Sequence, residues 1–113
     1  MQIKKTYKGI NPQMISDEIR GLVQKQGIEA GETEAQTYGL PSGDTQTRIT
    51  SAFKTQGKRM GDQKQCGEVH ILGSPGGETR MILYIDENLL PKERFSALEE
   101  DLDFILGSYE LKW

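Results

Sequence analysis

Hydrophobic and polar residues alternate with a period of two along five segments of the chain. This period is typical of strands that bury one face and expose the other. The clearest example places Gly67, Val69 and Ile71 inward, and Cys66, Glu68 and His70 outward. A Ser-Pro-Gly-Gly-Glu turn follows this segment and predicts a hairpin with the next one. The predicted strands are Gln2–Lys8, Glu32–Gly39, Thr45–Lys54, Lys64–Leu72 and Thr79–Asp86.

Two segments have a period near 3.6, which predicts helices. The first is expected from Pro12 to about Gln26, because Asn11 suits an N-cap, proline is favoured at the first helical position, and Gly27 supplies a left-handed stop. Its apolar stripe consists of Ile15, Ile19, Leu22 and Val23.

The second helix is expected to open at Pro91 and to close near Gly107. After it, Tyr109, Leu111 and Trp113 alternate like a short edge strand, although a continued helix remains open as an alternative. The stripe of this helix comprises Phe95, Leu98, Leu102, Ile105 and Leu106.

The order of elements is therefore β-α-β-β-β-β-α. An antiparallel sheet with one polar face, and with both helices packed on the other face, is the simplest way to bury both helical stripes. At 113 residues, the chain is expected to form one domain, residues 1–113, of the two-layer α+β class.

This order, with a long final helix directly after a hairpin, resembles the helix-grip domains of the START-like superfamily. The resemblance implies a curved sheet wrapped around the final helix, and a small apolar or amphipathic ligand held between them. This chain is shorter than usual members and has one N-terminal helix in place of a longer helical insertion, so the cavity is expected to be small or absent. The expected ligand-binding residues are Tyr38, Phe53, Tyr84, Phe95, Leu98 and Leu102.

The single cysteine, Cys66, excludes an internal disulfide, and the N-terminus lacks the apolar core of a signal peptide. We therefore expect a cytoplasmic protein. The longest apolar run, residues 81–85, is about a quarter of the ~20 residues that a membrane-spanning helix needs, so no membrane association is expected.

Cys66 is four residues from the only histidine, His70, which raises the question of a reactive pair. On a helix the two side chains would be neighbours about 6 Å apart, but on a strand four residues span about 13 Å. Because the segment is predicted to be extended, we expect neither a Cys/His dyad nor a shared metal site. We also expect no catalytic residue and no cofactor.

Charge is unevenly distributed along the chain, which has a net charge of −3. The basic segment from Lys54 to Lys64 could contact phosphates or an acidic partner. The negative net charge and the scarcity of aromatic residues among these bases argue against nucleic-acid binding. The acidic run Glu99–Asp103 is expected to be the solvated side of the last helix, and Asp86 with Glu87 is expected to cap the start of that helix.

Three functional hypotheses remain. The first is a non-enzymatic domain that forms a homodimer through an edge strand or through the outer sheet face, where Ile82 and Tyr84 would leave an apolar spot. The second is the START-like ligand binder. The third, and least favoured, is an enzyme that uses His70 as a general base beside Glu68 or Arg80.

Overall fold

A computed structural model describes residues 1–55, 64–74 and 76–111 of the chain. Five strands and two α-helices follow one another in the predicted order, and a short 3-10 helix that was not predicted comes after them. They are β1 (Gln2–Lys8), α1 (Pro12–Lys25), β2 (Ile28–Gly39), β3 (Thr45–Thr55), β4 (Gln65–Gly73), β5 (Glu78–Ile85), α2 (Lys92–Leu106) and the 3-10 helix Gly107–Tyr109.

The strands form one curved antiparallel sheet in the order β1-β5-β4-β3-β2. Strands β2 to β5 make a meander, and β1 pairs with the last strand of that meander. Both helices pack on one face of the sheet, so the predicted two-layer α+β fold is confirmed.

The core lies between this inner face of the sheet and the two helices. On β5, Met81, Leu83 and Ile85 are fully buried, whereas the residues between them are exposed. The helices contribute the residues of their apolar stripes, and α2 buries Phe95, Leu98, Leu102 and Leu106. Ile105 was predicted to belong to this stripe but is exposed, because it is turned by about 100° from Leu106 on the helix surface.

The start of α1 has the predicted geometry. The side chain of Asn11 accepts a hydrogen bond of 2.8 Å from the backbone amide of Met14, and Gly27 has a φ of 81° just after the helix. The first turn is held close to β4, where a Cβ added to Gly73 would lie 2.4 Å from Cγ of Pro12. Glycine at this position therefore allows the helix to rest directly on the sheet.

Strand β2 begins at Ile28 and not at the predicted Glu32. Its pairing with β3 shifts register between Ala30 and Thr33. Even-numbered residues face the core before this shift, and odd-numbered residues face it afterwards. A period of two cannot detect a strand across such a bulge, and this explains the error.

The end of the chain was predicted as an edge strand, and this is correct only in part. The residues that follow α2 form the 3-10 helix, after which Glu110 makes an isolated antiparallel bridge with Tyr7. The amide of Leu111 donates a 2.8 Å hydrogen bond to the carbonyl of Thr6. The chain thus reaches the free edge of β1, while Trp113 lies outside the described residues.

The predicted capping of α2 by Asp86 and Glu87 is wrong. The Asp86 carboxylate accepts a 2.9 Å hydrogen bond from the amide of Asn88, within the turn that precedes the helix. The helix begins later, and its N-cap residue Pro91 makes no side-chain capping bond. Among the described residues, neither helix is long and apolar enough to cross a membrane.

Candidate functional site: the outer face of the sheet

The second face of the sheet, called here the outer face, has neither helix packed on it within the described part of the chain. Its centre is formed by alternate residues of three adjacent strands, which lie opposite the buried positions of the same strands. These residues are Arg48, Thr50 and Ala52 of β3, Glu68, His70 and Leu72 of β4, and Arg80, Ile82 and Tyr84 of β5.

The strand register arranges these nine residues in three parallel rows. Neighbours within a row are about 4.8 Å apart, and consecutive rows on one face are about 6.6 Å apart. The rows are Arg48–Leu72–Arg80, Thr50–His70–Ile82 and Ala52–Glu68–Tyr84.

Apolar groups are exposed at the centre of this polar surface. Ile82 is 37% exposed and Tyr84 is 47% exposed, although each follows a fully buried residue on β5. A depression of about 410 Å3 lies beside Ile82, and its lining includes Leu72 with Arg48 and Arg80 on either side. The outer face therefore offers an apolar floor between two basic side chains.

The polar side chains at the centre of the outer face make one close contact with one another in the described part of the chain. Nε2 of His70 lies 3.4 Å from Oε1 of Glu68, two residues earlier on the same strand. In the described part of the chain, neither Arg48 nor Arg80 has an ion-pair partner. Two guanidinium groups are thus available to an acidic group from outside the chain.

Strand β4 is extended as predicted, so Cys66 and His70 are separated by four strand residues, about 13 Å. The prediction that Cys66 points outward is wrong, since its side chain is buried. The pairing of β3 with β4 shifts register beside Cys66, between Phe53 and Lys54. This irregularity interrupts the alternation, so Cys66 is buried although the regular pattern would place it on the outer face. Burial also raises the pKa of the Cys66 thiol, which keeps it protonated at neutral pH.

The six residues predicted to bind a ligand are divided between the two faces of the sheet. Tyr38 and Tyr84 are exposed, and Tyr84 alternates with buried neighbours, so it lies on the face opposite α2. The hydroxyl of Tyr38 donates a hydrogen bond to the side chain of Gln36. The other four belong to the packed core: Phe53, Phe95, Leu98 and Leu102.

A polar cluster lies at the edge where β1 meets the end of α2. Nζ of Lys5 lies 3.0 Å from Oδ1 of Asp103 and 2.8 Å from Oε1 of Glu110. Hydrogen bonding to Glu110 raises the pKa of Lys5, and burial raises that of the neighbouring Tyr7. Because Glu110 also takes part in the bridge to β1, this cluster fastens the C-terminal segment to the sheet.

Two other sequence features are the potential metal ligands and the basic segment. Within the described ranges, no three histidine, cysteine, aspartate or glutamate side chains come together in a way that could hold a metal ion. Most of the predicted basic segment, residues 56–63, lies outside the described residues. The two residues that flank 56–63 are hydrogen-bonded to each other: the amide of Thr55 donates a 2.8 Å hydrogen bond to the carbonyl of Lys64.

No family model matches the chain, and neither the curated proteins nor the solved structures contain a significant match to it.

Proposed function

We propose that this protein is a non-enzymatic domain that self-associates, with two copies joined face to face through the outer face of the sheet. The observation that carries the proposal is the contrast between the two faces. Both helices are packed on the inner face. The outer face exposes Ile82 and Tyr84 beside two arginines that have no ion-pair partner among the described residues. Exposed apolar groups within a polar surface are typical of interaction sites.

The size of the outer face suits a small dimer interface. Five strands at about 4.8 Å spacing are paired side by side over about seven residues, and at 3.3 Å per residue this shared area covers roughly 550 Å2. A standard interface buries about 800 Å2 of each partner. Side chains that project from the sheet add to the flat area, so one face can supply most of such an interface.

A non-enzymatic role is supported by the position of the two most reactive side chains. The Cys66 thiol is buried, and its raised pKa disfavours the nucleophilic thiolate. His70 faces the other side of the sheet, where its contact with Glu68 lies in an open surface and not in an enclosed pocket.

The START-like alternative, a ligand held between the sheet and α2, has less support. Phe53, Leu98 and Leu102 are almost inaccessible and form part of one continuous core. A ligand beneath α2 would have to displace these side chains, and the exposed Tyr38 and Tyr84 could not contact it there.

Sedimentation equilibrium over a wide concentration range tests the proposed function. The wild-type protein should change from the 12.7 kDa monomer toward twice that mass as its concentration rises. Ile82→Lys should remain monomeric over the same range, because the charge would be buried in the interface. The matched control is Phe104→Lys, at a position on α2 that is 92% exposed and lies on the helical side of the fold.

Phe104→Lys should associate like the wild-type protein. A wild-type protein that stays monomeric at all concentrations would contradict the proposal. The same holds if Phe104→Lys abolishes association while Ile82→Lys does not.

A further inference from the structure

The two arginines of the outer face, which lack an ion-pair partner in residues 1–55, 64–74 and 76–111, flank a single leucine. Arg48 on β3 and Arg80 on β5 are both register partners of Leu72 on β4, which lies between them. Their Cα atoms are therefore about 10 Å apart, twice the strand spacing. A carboxylate placed above Leu72 would be within reach of both guanidinium groups, each of which can bind it through two parallel hydrogen bonds.

The chain carries a suitable carboxylate on the same strand, but in the wrong place for its own arginines. Glu68 is four residues from Leu72, a distance of about 13 Å along the strand. It contacts His70 instead, at 3.4 Å. A second copy of the chain can supply the same carboxylate at the right position.

Symmetry shows how this can occur. In a face-to-face pair, the two-fold axis lies in the plane between the sheets. If the axis runs across the strands along the row that contains His70, a half-turn brings the row of Glu68 over the row of Leu72 in the other copy. Both sheets then remain aligned, as face-to-face sheets usually are.

The same operation places each residue of the central row over its own counterpart. At the two edges of the sheet this includes the exposed side chains of Lys4 and Glu34, which lie at the rim of the face. Ile82 meets Ile82 of the second copy, and this contact buries the apolar spot. Tyr84 of the second copy lies over Arg80, where the aromatic ring can interact with the guanidinium group.

An axis along β4 is disfavoured by charge at the centre of the face. It would bring Arg48 of one copy over Arg80 of the other, on both sides of the axis. These like charges would lie at the centre of the interface, away from solvent, where their repulsion is least screened, so this arrangement is disfavoured.

We propose that Glu68 of each copy inserts between Arg48 and Arg80 of the other copy, above Leu72. This inference rests on the proposed function, because it requires association through the outer face. To the proposed association, the inference adds the orientation of the two copies and the charged contacts that favour this orientation.

Charge reversal in two complementary variants tests the proposal. The first variant is Arg48→Glu with Arg80→Glu, and the second is Glu68→Arg. Each variant alone would place like charges in both contacts, so its dimer dissociation constant should rise at least about 30-fold. In a 1:1 mixture both contacts regain opposite charges, and a heterodimer should form that native mass spectrometry can identify.

A matched control makes the same change in net charge on the helical side. The double variant Lys25→Glu with Lys92→Glu alters two exposed lysines at the end of α1 and the start of α2. It should self-associate as the wild-type protein does and should not pair selectively with Glu68→Arg. Circular dichroism of all variants verifies that each one is folded.

The outcomes separate the two proposals. If the wild-type protein associates but the arginine and Glu68 variants still self-associate, or their mixture forms no heterodimer, the orientation is wrong while association stands. If association is lost in the arginine variant but unchanged in Glu68→Arg, another acidic group binds the arginines, and the inference is again overturned. A monomeric wild-type protein would remove both proposals.

Discussion

The two faces of β5 differ in what covers them, although they share one backbone. Met81, Leu83 and Ile85 point inward and are fully buried beneath the helices. Ile82 and Tyr84 alternate with them but remain exposed on the outer face. Because the same strand carries both sets, this difference separates side chains that hold the fold together from those available to a second molecule.

The largest expected effect contrasts neighbouring residues on the two faces. Leu83→Ala should lower the free energy of unfolding by about 2–5 kcal/mol, because it removes buried apolar groups and leaves a cavity. Ile82→Ala should lower it by less than about 1 kcal/mol when measured as a monomer, since Ile82 is partly exposed. Urea unfolding at a concentration below dimer formation measures both values, and similar losses would contradict the distinction between the faces.

A smaller loss of stability is expected at Lys5, the lysine of β1 that points to the inner side of the sheet. Lys5→Ala should reduce the free energy of unfolding by about 1–3 kcal/mol, because it leaves the largely buried carboxylate of Glu110 without its partner. The control is Lys25→Ala, which breaks the exposed pair with Asp101 and should cost about 0–1 kcal/mol.

Urea unfolding monitored by circular dichroism provides the comparison for these two lysines. Equal losses would mean that Lys5 contributes no more than an ordinary surface ion pair. The polar cluster at the edge of the sheet would then not be needed to fasten the C-terminal segment.

The architecture and the face of most strand residues could be predicted from the sequence, because the period of two is regular in β4 and β5. The prediction failed where pairing is irregular. Cys66 lies beside a register shift and Ile28 precedes one, and a shift reverses the relation between sequence parity and burial. Such shifts depend on the partner strand, so the pattern of one strand does not contain them.

The candidate site was predictable only in part, for the same physical reason. An apolar spot at Ile82 and Tyr84 was expected, because alternation alone places both on the outer face. The row formed by Arg48, Leu72 and Arg80 could not be predicted, because it requires the registers of two strand pairs. Tyr38 and Tyr84 were expected to bind a ligand together with Phe53 and residues of α2, but both are exposed, and Tyr84 lies on the face opposite α2.

Hydroxyl-radical footprinting at a low and a high protein concentration tests most directly whether the outer face is covered by a second copy. We predict that Ile82 and Tyr84 become protected as the concentration rises, while Phe104 on the helical side remains equally reactive. Unchanged reactivity of Ile82 and Tyr84, together with protection of Phe104 in an associated protein, would contradict the account.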